Sequence, residues 1–428
     1  MLDLSKIADQ MQGMSQHLTQ EAAATRQRLE RAQTLMSQAL QHQSELLDLK
    51  EEWRDRLNFT AAEPIEPLNL QGSIATPPAA HTVIATDGSQ IAPSHHEIAY
   101  CYLINVGRIV LHYGQNRFPL LDSMPEVVYR PEDLYISRQW GISTEEWMGY
   151  RRTVSEAIVL AELALETRTA TRSSFVIGHQ SLASEGQMTN DEEHSFNPQP
   201  PTPNPQTSPT LALTDGSLIY WFLESLPNEA RDRILTPILE AWERLRQAKV
   251  PLVGYLSASR SGEALNFLRL QACPYETPDC LSRCAGQRDR FPCQVLEPLK
   301  DTKLWAVRLS PGQRSPLWRS SASILDLYGK HRVYFCYVNV GTEIARVEFP
   351  EWVVQDAEML NSSLSLVIAQ VQKGYGYPVA LAEAHNQAVV RGGDRTRFFA
   401  LLEQEMIRAG LQNVGVSYKE ARKRGSIA

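Results

Sequence analysis

Two aspartates stand in the same string, Thr-Asp-Gly-Ser, at two distant places in the sequence. Asp87 follows the mostly apolar run 83–86, and Asp215 follows the mostly apolar run 211–214. Carboxylates at the ends of neighbouring buried strands can share a cleft, where their oxygens would bind a hard divalent cation. Asp-Gly-Ser is also a common turn sequence and aspartate a common helix cap, so either copy could be purely structural.

The elements around these motifs predict an α/β fold. The run 81–90 indicates a buried strand that ends at a turn, and the strand-like runs 97–107 and 108–114 would complete a three-stranded antiparallel start of a sheet. A helix is predicted over 144–168, and a strand ends at Asp215. Later segments predict helices around 226–248, 264–270, 361–374, 378–390 and 395–409, a strand around 250–259, and a hairpin over 331–350.

The sequence also predicts a division into segments. Apolar residues recur at helical spacing in residues 1–60, which indicates a long N-terminal helical extension that packs on the main domain or on a second copy. Proline and small residues indicate a linker over 61–80. The remaining predicted segments are a main domain over 81–410, a disordered Pro-rich insert at 185–210, a Cys-rich insert at 271–295 and a C-terminal tail at 411–428.

Composition narrows the class of protein. The chain has 42 basic and 49 acidic side chains, a net charge of −7, so it does not coat nucleic acid through bulk charge, although a local basic groove is allowed. A hydrophobic content of 43% excludes a wholly disordered chain. The sequence has neither an apolar run of ~18 residues nor a secretory signal, so we expect a cytoplasmic protein without a membrane span.

The order of the motifs resembles that of the NurA nuclease family. The matching features are Asp87-Gly88-Ser89 at the start of the sheet, a helix that carries a glutamate, Asp215-Gly216-Ser217, and Tyr377-Pro378 followed by Ala384-His385. The resemblance covers roughly residues 80–400. It implies an RNase H-like core, a mixed sheet flanked by helices, in a homodimer that uses Mn²⁺ beside a HerA-like hexameric ATPase in DNA end resection and repair.

The resemblance also assigns roles to individual residues. Asp87 matches the first metal-binding aspartate and Asp215 the second, while Glu156 best matches the glutamate of the intervening helix, with Glu162 as the alternative. The predicted catalytic residues are Asp87, Glu156, Asp215, Tyr377 and His385, of which all but Tyr377 would bind metal. His385 could instead contact the scissile phosphate, shuttle a proton, or be a core residue, and Tyr377 could contact phosphate or be structural.

The implied chemistry is two-metal phosphodiester hydrolysis with Mn²⁺ or Mg²⁺, in which Asp87 bridges two ions and Glu156 and Asp215 hold one each. The substrate would be single-stranded DNA or duplex ends, cut as an exonuclease or single-strand endonuclease. Two alternatives stay open at this point. The chain could be a catalytically weak DNA-binding or adaptor subunit of a HerA-like translocase, or an unrelated α/β protein.

Three arginines are candidate contacts to the DNA backbone. Arg260, Arg314 and Arg319 each lie among serines, and both side-chain types donate hydrogen bonds to phosphate oxygens. Exposed loops carry such residues routinely, so a structural or solvent-facing role is the alternative.

Four of the six cysteines are grouped, with six, three and eight residues between them, as Cys273, Cys280, Cys284 and Cys293. Grouped cysteines in a cytosolic protein suggest a structural metal, either Zn²⁺ or an iron–sulfur cluster, rather than disulfides. The spacing matches no common zinc module, so unligated thiols or a redox pair are the alternative. Cys101 and Cys336 lie in strand-like runs and are expected to be inert core residues.

Overall fold

The computed structural model describes four stretches of the chain, residues 4–93, 100–180, 208–287 and 291–410. The Pro-rich insert that the sequence predicts to be disordered lies almost entirely outside these stretches, and the predicted tail 411–428 lies outside them as well. No helix in the described stretches is long and apolar enough to cross a membrane.

The fold is mixed α/β, as predicted, with parallel and antiparallel strand pairs flanked by helices. The strands are β1 Glu63–Pro64, β2 Gly72–Ser73, β3 His81–Ile91, β4 Tyr102–Tyr113, β5 Leu120–Val128, β6 Thr210–Asp215, β7 Leu252–Leu256, β8 Gln313–Arg314, β9 Trp318–Arg319, β10 Val333–Asn339 and β11 Ile344–Pro350. The helices are α1 Leu4–Gln41, α2 Gln43–Glu52, α3 Pro131–Leu134, α4 Thr144–Gln180, α5 Asn228–Gln247, α6 Glu263–Gln271, α7 Cys280–Arg283, α8 Asp301–Ala306, α9 Glu351–Val354, α10 Ala357–Lys373, α11 Val379–Ala388 and α12 Gly392–Arg408.

The chain divides into two compact units. The first comprises Met1–Ala75, Gly216–Trp221 and Gly254–Gln355. The second comprises Thr76–Asp215, Phe222–Val253 and Asp356–Ala428.

The first unit is built on the predicted hairpin of β10 and β11. Strand β11 also pairs with the end of β7, and β10 pairs with β8 and β9, all antiparallel. The segment 61–80, predicted as a linker, contributes β1 and β2, which pair with β9 and β8. The second half of α1 packs on α6 and α8 and buries Ala32, Leu35, Met36 and Ala39 in the core of this unit.

The second unit carries the strands of both aspartate motifs, in the order β5-β4-β3-β6. Strands β3 and β6 are parallel neighbours, whereas β4 is antiparallel to both β3 and β5. The predicted three-stranded antiparallel start of the sheet is therefore present, but its strands differ from the prediction. Runs 97–107 and 108–114 are not two strands, because the single strand β4 spans both of them within the described residues, and the third strand is β5.

The first Asp-Gly-Ser is not the turn that the sequence predicts. Strand β3 continues through Asp87 to Ile91 because β4 pairs with it along its whole length, with Ile91 opposite Leu103. The second copy does form a turn, since β6 ends at Asp215 and Gly216 adopts a φ of 102°. Glycine adopts this backbone conformation without the steric cost that other residues incur.

Helix α11 approaches β4 closely at a single glycine. Gly107 lies opposite Asp87 in the β3–β4 register, so both residues face the same side of the sheet. A Cβ atom on Gly107 would lie 2.3 Å from the Ala384 carbonyl oxygen and 2.6 Å from the Ala388 backbone nitrogen. The absence of a side chain at position 107 therefore lets α11 lie directly over the strand beside Asp87.

Polar side chains fix both ends of α11. At its C-terminal end the Ala388 carbonyl accepts hydrogen bonds from the Ser89 hydroxyl and from Asn105 Nδ2, the latter at 2.8 Å. At its N-terminal end the fully buried Gln370 accepts a hydrogen bond from the Ala380 backbone N–H at 3.0 Å and donates one to the Tyr113 hydroxyl at 3.1 Å. These bonds satisfy backbone groups that a helix leaves unpaired at its termini.

Gly107→Ala should destabilise the protein by about 1–3 kcal/mol, because the added methyl group meets backbone atoms that cannot rotate away. Urea unfolding followed by circular dichroism measures the loss. Gly149→Ala is the matched control, since position 149 lies inside α4 with nothing within 4 Å of the added carbon. This control should be neutral or stabilised by up to about 1 kcal/mol. Equal stability of the two variants would contradict the close-packing account.

Candidate active site

The two aspartates of the repeated motif lie side by side in the second unit. Thr86 of β3 is the register partner of Thr214 of β6, and the next residues along these parallel strands are Asp87 and Asp215. Burial raises the pKa of Asp215, and the negative charge of Asp87 raises it further. The adjacency that the sequence analysis required of these strands is therefore present.

Glu156 reaches the aspartates from helix α4. The Thr86 hydroxyl donates a hydrogen bond of 3.1 Å to the Glu156 backbone carbonyl, which fixes this turn of the helix against β3. A Cβ atom on Gly88 would lie 2.3 Å from Glu156 Oε1, so the glycine of the first motif provides the space for the carboxylate. Asp87 leaves β3 on the side of α11, but the Gly88 backbone N–H connects the two acidic groups: it donates a 2.8 Å hydrogen bond to Asp87 Oδ1 and is also a hydrogen-bond donor to Glu156.

The ionisation of Glu156 reflects its crowded position. Burial raises the pKa of its carboxyl group to about 7, Arg152 opposes this shift, and the charges of Asp87 and Asp215 add to it. Arg152 lies one helical turn earlier, with its Nε atom 3.3 Å from Glu156 Oε1. A substantial fraction of this carboxyl group is therefore protonated near neutral pH.

Tyr377 lies beside Asp215, at the tight turn between α10 and α11. The turn is so close that a Cβ atom on Gly374 would lie 1.9 Å from the Tyr377 carbonyl oxygen. Burial raises the pKa of Asp215, and a side-chain hydrogen bond from Tyr377 is the largest influence that lowers it. Tyr377 therefore stabilises the charged form of Asp215.

His385 lies on the exposed side of the cluster. Its Nδ1 atom is 2.8 Å from Asp87 Oδ2, while the other oxygen of Asp87 accepts a 2.8 Å hydrogen bond from the Gly88 backbone N–H. The side chain of His385 is 68% exposed, against 22% for Asp87. The imidazole is thus anchored to a partly buried carboxylate and remains accessible to a substrate from solvent.

Glu162, the alternative glutamate, lies apart from this cluster. Its carboxylate is 47% exposed and 4.0 Å from Arg244 Nη1. It lines a groove of about 470 Å³ between α4, β4, β5 and α5. Of the two glutamates, Glu156 is the one that lies beside the aspartates.

The cluster fits divalent cations by ligand type rather than by the present arrangement of its side chains. Three carboxylates in electrostatic contact offer the oxygen ligands that hard cations prefer, and their mutual repulsion is what a cation would relieve. In the described residues, however, no group of three or more His, Cys, Asp or Glu side chains is placed so that it could hold a metal ion. Each acidic group instead has a protein partner: His385 for Asp87, Tyr377 for Asp215 and, as an ion pair, Arg152 for Glu156.

The predicted DNA-contacting arginines lie in the first unit. Arg314 forms a two-point ion pair with Glu66, at 2.6 and 2.9 Å, and Arg319 pairs with Glu63. Arg260 is exposed. Arg314 and Arg319 therefore have a structural role as partners in ion pairs with carboxylates of the same unit.

Sequence reasoning missed the residues that support the cluster. Gly107 breaks an apolar strand, and an isolated glycine in a strand often marks a close backbone approach, so a signal was present. Arg152 precedes Glu156 by four residues, the spacing of neighbours on a helix. Asn105 and Gln370 gave no such signal, because their partners are backbone or hydroxyl groups far away in the sequence.

Glu156→Gln should stabilise the protein in the absence of divalent cations, and increasingly so as the pH rises. The pKa of Glu156 is about 7 in the folded chain and near 4.5 when unfolded, so this group destabilises the folded state progressively across that interval. We expect a gain of about 1–3 kcal/mol at about pH 8, reduced by the lost attraction to Arg152, and none below about pH 4.

Thermal or urea unfolding at several pH values measures this gain. Glu162→Gln, on the same helix, is the control and should show no gain that depends on pH. A gain of the same size at every pH would contradict the ionisation account.

Comparison with known proteins identifies the family of the chain. The family model described as the NurA domain matches residues 81–390, a range that contains all five predicted catalytic residues. The crystal structure of the NurA nuclease from Sulfolobus solfataricus is similar to this chain with a TM-score of 0.47 and 11% identity, over 96% of this chain and 99% of that one. No curated protein sequence matches the chain. Because the family match spans well over half of its 428 residues, the chain belongs to the NurA domain family.

Proposed function

We propose that this protein is a metal-dependent nuclease that hydrolyses DNA phosphodiester bonds at the cluster formed by Asp87, Glu156 and Asp215. The observation that carries the proposal is the convergence of these three carboxylates from β3, α4 and β6, where burial and, to a smaller extent, the charges of the two aspartates raise the pKa of Glu156 to about 7. Membership of the NurA domain family supports a nuclease. Acidic groups crowded in this way destabilise a fold, so a use for them in chemistry explains their presence.

In this proposal Asp87, Glu156 and Asp215 would together hold two divalent cations. A cation pair supplies an activated water and neutralises charge on the phosphate oxygens. The ions would be Mn²⁺ or Mg²⁺, as the family resemblance implies. Because Arg152 and His385 occupy carboxylate oxygens in the described arrangement, we expect metal and substrate to replace these partners.

His385 and Tyr377 have separate parts in the proposed reaction. The exposed imidazole of His385 is suited to contact the incoming phosphate or to carry a proton between the site and solvent. The hydrogen bond from Tyr377 to Asp215 favours the charged form of that aspartate.

The cellular setting is proposed from the family resemblance rather than from geometry. It comprises a homodimer in the cytoplasm that works beside a HerA-like hexameric ATPase in end resection and repair of DNA double-strand breaks. The substrates would be single-stranded DNA and duplex ends, cut as an exonuclease or a single-strand endonuclease. The alternative, a catalytically weak DNA-binding or adaptor subunit of such an ATPase, gives no reason for three acidic groups to converge.

Asp87→Asn should abolish Mn²⁺-dependent cleavage of end-labelled single-stranded DNA, and Glu156→Gln should reduce it at least about 100-fold. The carboxylate charge is lost in both variants while side-chain size is kept. Glu162→Gln should retain wild-type activity, because that carboxylate lies outside the cluster. Full activity in Asp87→Asn would remove this residue from the mechanism, and an inactive wild type that still binds DNA would favour the adaptor function.

Metal binding can be tested without activity. Saturating Mn²⁺ should raise the melting temperature of the wild type, because ligand binding to the folded state stabilises it. The shift should be lost in Asp87→Asn and kept in Glu162→Gln. An identical shift in all three proteins would place the metal elsewhere.

A further inference from the structure

The four grouped cysteines converge on one small cavity in the first unit. Cys273 follows α6, Cys280 and Cys284 lie at the two ends of α7, and Cys293 follows further along the chain. All four line a cavity of about 10 Å³. The thiols affect one another electrostatically, since Cys284 interacts with the other three and Cys273 with Cys280 and Cys293. Each of these cysteines is a free thiol.

The segment that carries these cysteines has little structure of its own to hold it in place. Between α6 and α8, the described residues of 272–300 contain only the four-residue helix α7. Asp279 caps this helix through the Ser282 N–H at 3.0 Å and pairs with the exposed Arg56 at 2.8 Å. Loops of this length without secondary structure are uncommon in compact domains, and an exposed ion pair contributes little to stability.

A buried arginine lies beside the thiols. Arg269 of α6 is only 4% exposed, and its Nη2 atom donates to Cys293 Sγ at 3.4 Å. Its Nε atom is buried without a hydrogen-bond partner among the described residues. Among the described residues it pairs with Glu297 at 3.7 Å, a side chain that is itself 56% exposed. The guanidinium also lies 3.8 Å from the centre of the Phe59 ring. Thiolates on a cation would add negative charge beside this buried guanidinium, whereas neutral thiols add none.

We propose that Cys273, Cys280, Cys284 and Cys293 bind one Zn²⁺ as a structural site, with Arg269 donating a hydrogen bond to the Cys293 sulfur. Each thiol releases its proton to solvent as it binds, and four thiolates around one divalent cation leave a net negative charge next to the guanidinium. In the described arrangement these side chains do not yet form a metal-holding group, so binding draws the sulfur atoms inward from the cavity wall.

The size of the cavity favours a single ion. A volume of about 10 Å³ has room for about one water-sized probe. An iron–sulfur cluster, with several iron and sulfide atoms, needs more space. Zn²⁺ suits four sulfur ligands because it accepts tetrahedral thiolate coordination.

The test is the metal content of the full-length protein, purified without chelators or nickel resin and measured by mass spectrometry. We expect about one Zn²⁺ per chain. Cys280→Ser and Cys284→Ser should lose nearly all of it, whereas the matched controls Cys101→Ala and Cys336→Ala, at cysteines outside the cavity, should retain it. Wild type without zinc, or zinc that remains in Cys280→Ser, would overturn the proposal, as would iron with acid-labile sulfide.

Three further measurements apply if the cysteine variants do not fold. A mercurial reagent added to the wild type should release zinc in step with the modification of four thiols. Exchange with Co²⁺ should give the absorption spectrum of tetrahedral thiolate coordination. Arg269→Gln should lose zinc to a competing chelator faster than the wild type, because the sulfur loses its hydrogen-bond donor. Zinc release without thiol modification, or a Co²⁺ spectrum without sulfur ligation, would also overturn the proposal.

Discussion

Repulsion among acidic side chains that are held close together is the constraint on which the second unit depends. Asp87 and Asp215 are placed side by side by the parallel pairing of β3 and β6, and Glu156 is brought to them by α4. Charges crowded in this way tend to separate, so the surrounding structure has to hold them in place. Arg152, Tyr377 and His385 each provide one favourable partner for an acidic group.

Each of the three residues in the first Asp-Gly-Ser motif has a different role. The aspartate carries the charge, the glycine leaves room for Glu156, and the serine binds the carbonyl at the end of α11. The second copy differs, because its serine donates a 2.9 Å hydrogen bond to Glu348 within the first unit. Two identical strings thus have different surroundings, and only the aspartate has a comparable position in both.

Much of the fold could be predicted from the sequence, because the spacing of apolar residues along a segment indicates which of its faces is buried. The hairpin of β10 and β11 and the helix α5 were predicted from apolar patterns and are present. Strand β5 was missed, since most of its residues are exposed and give no alternation. The arginines near β8 and β9 show a second limit, because the sequence shows a cation but not the distant Glu63 or Glu66 that neutralises it.

The choice between Glu156 and Glu162 shows what tertiary structure adds. Both lie on α4, six residues apart, and no periodic pattern separates a glutamate over Gly88 from one in a solvent groove. What separates them is Gly88 of β3, whose lack of a side chain leaves space for the Glu156 carboxylate. Local sequence rules describe which residues share a helix, whereas the neighbour that a side chain meets depends on packing between elements.

The hydrogen bonds that hold α11 also affect when the cluster can be completed during synthesis. Asn105 and the Ala388 carbonyl that it binds are 283 residues apart in the chain. Strands β3 and β4 leave the ribosome long before α11 does, and domains form from the N-terminus onward. A nascent chain therefore contains β3 and β4 before it contains His385 and Tyr377, so the cluster is completed only after α11 has been synthesised and has packed on these strands.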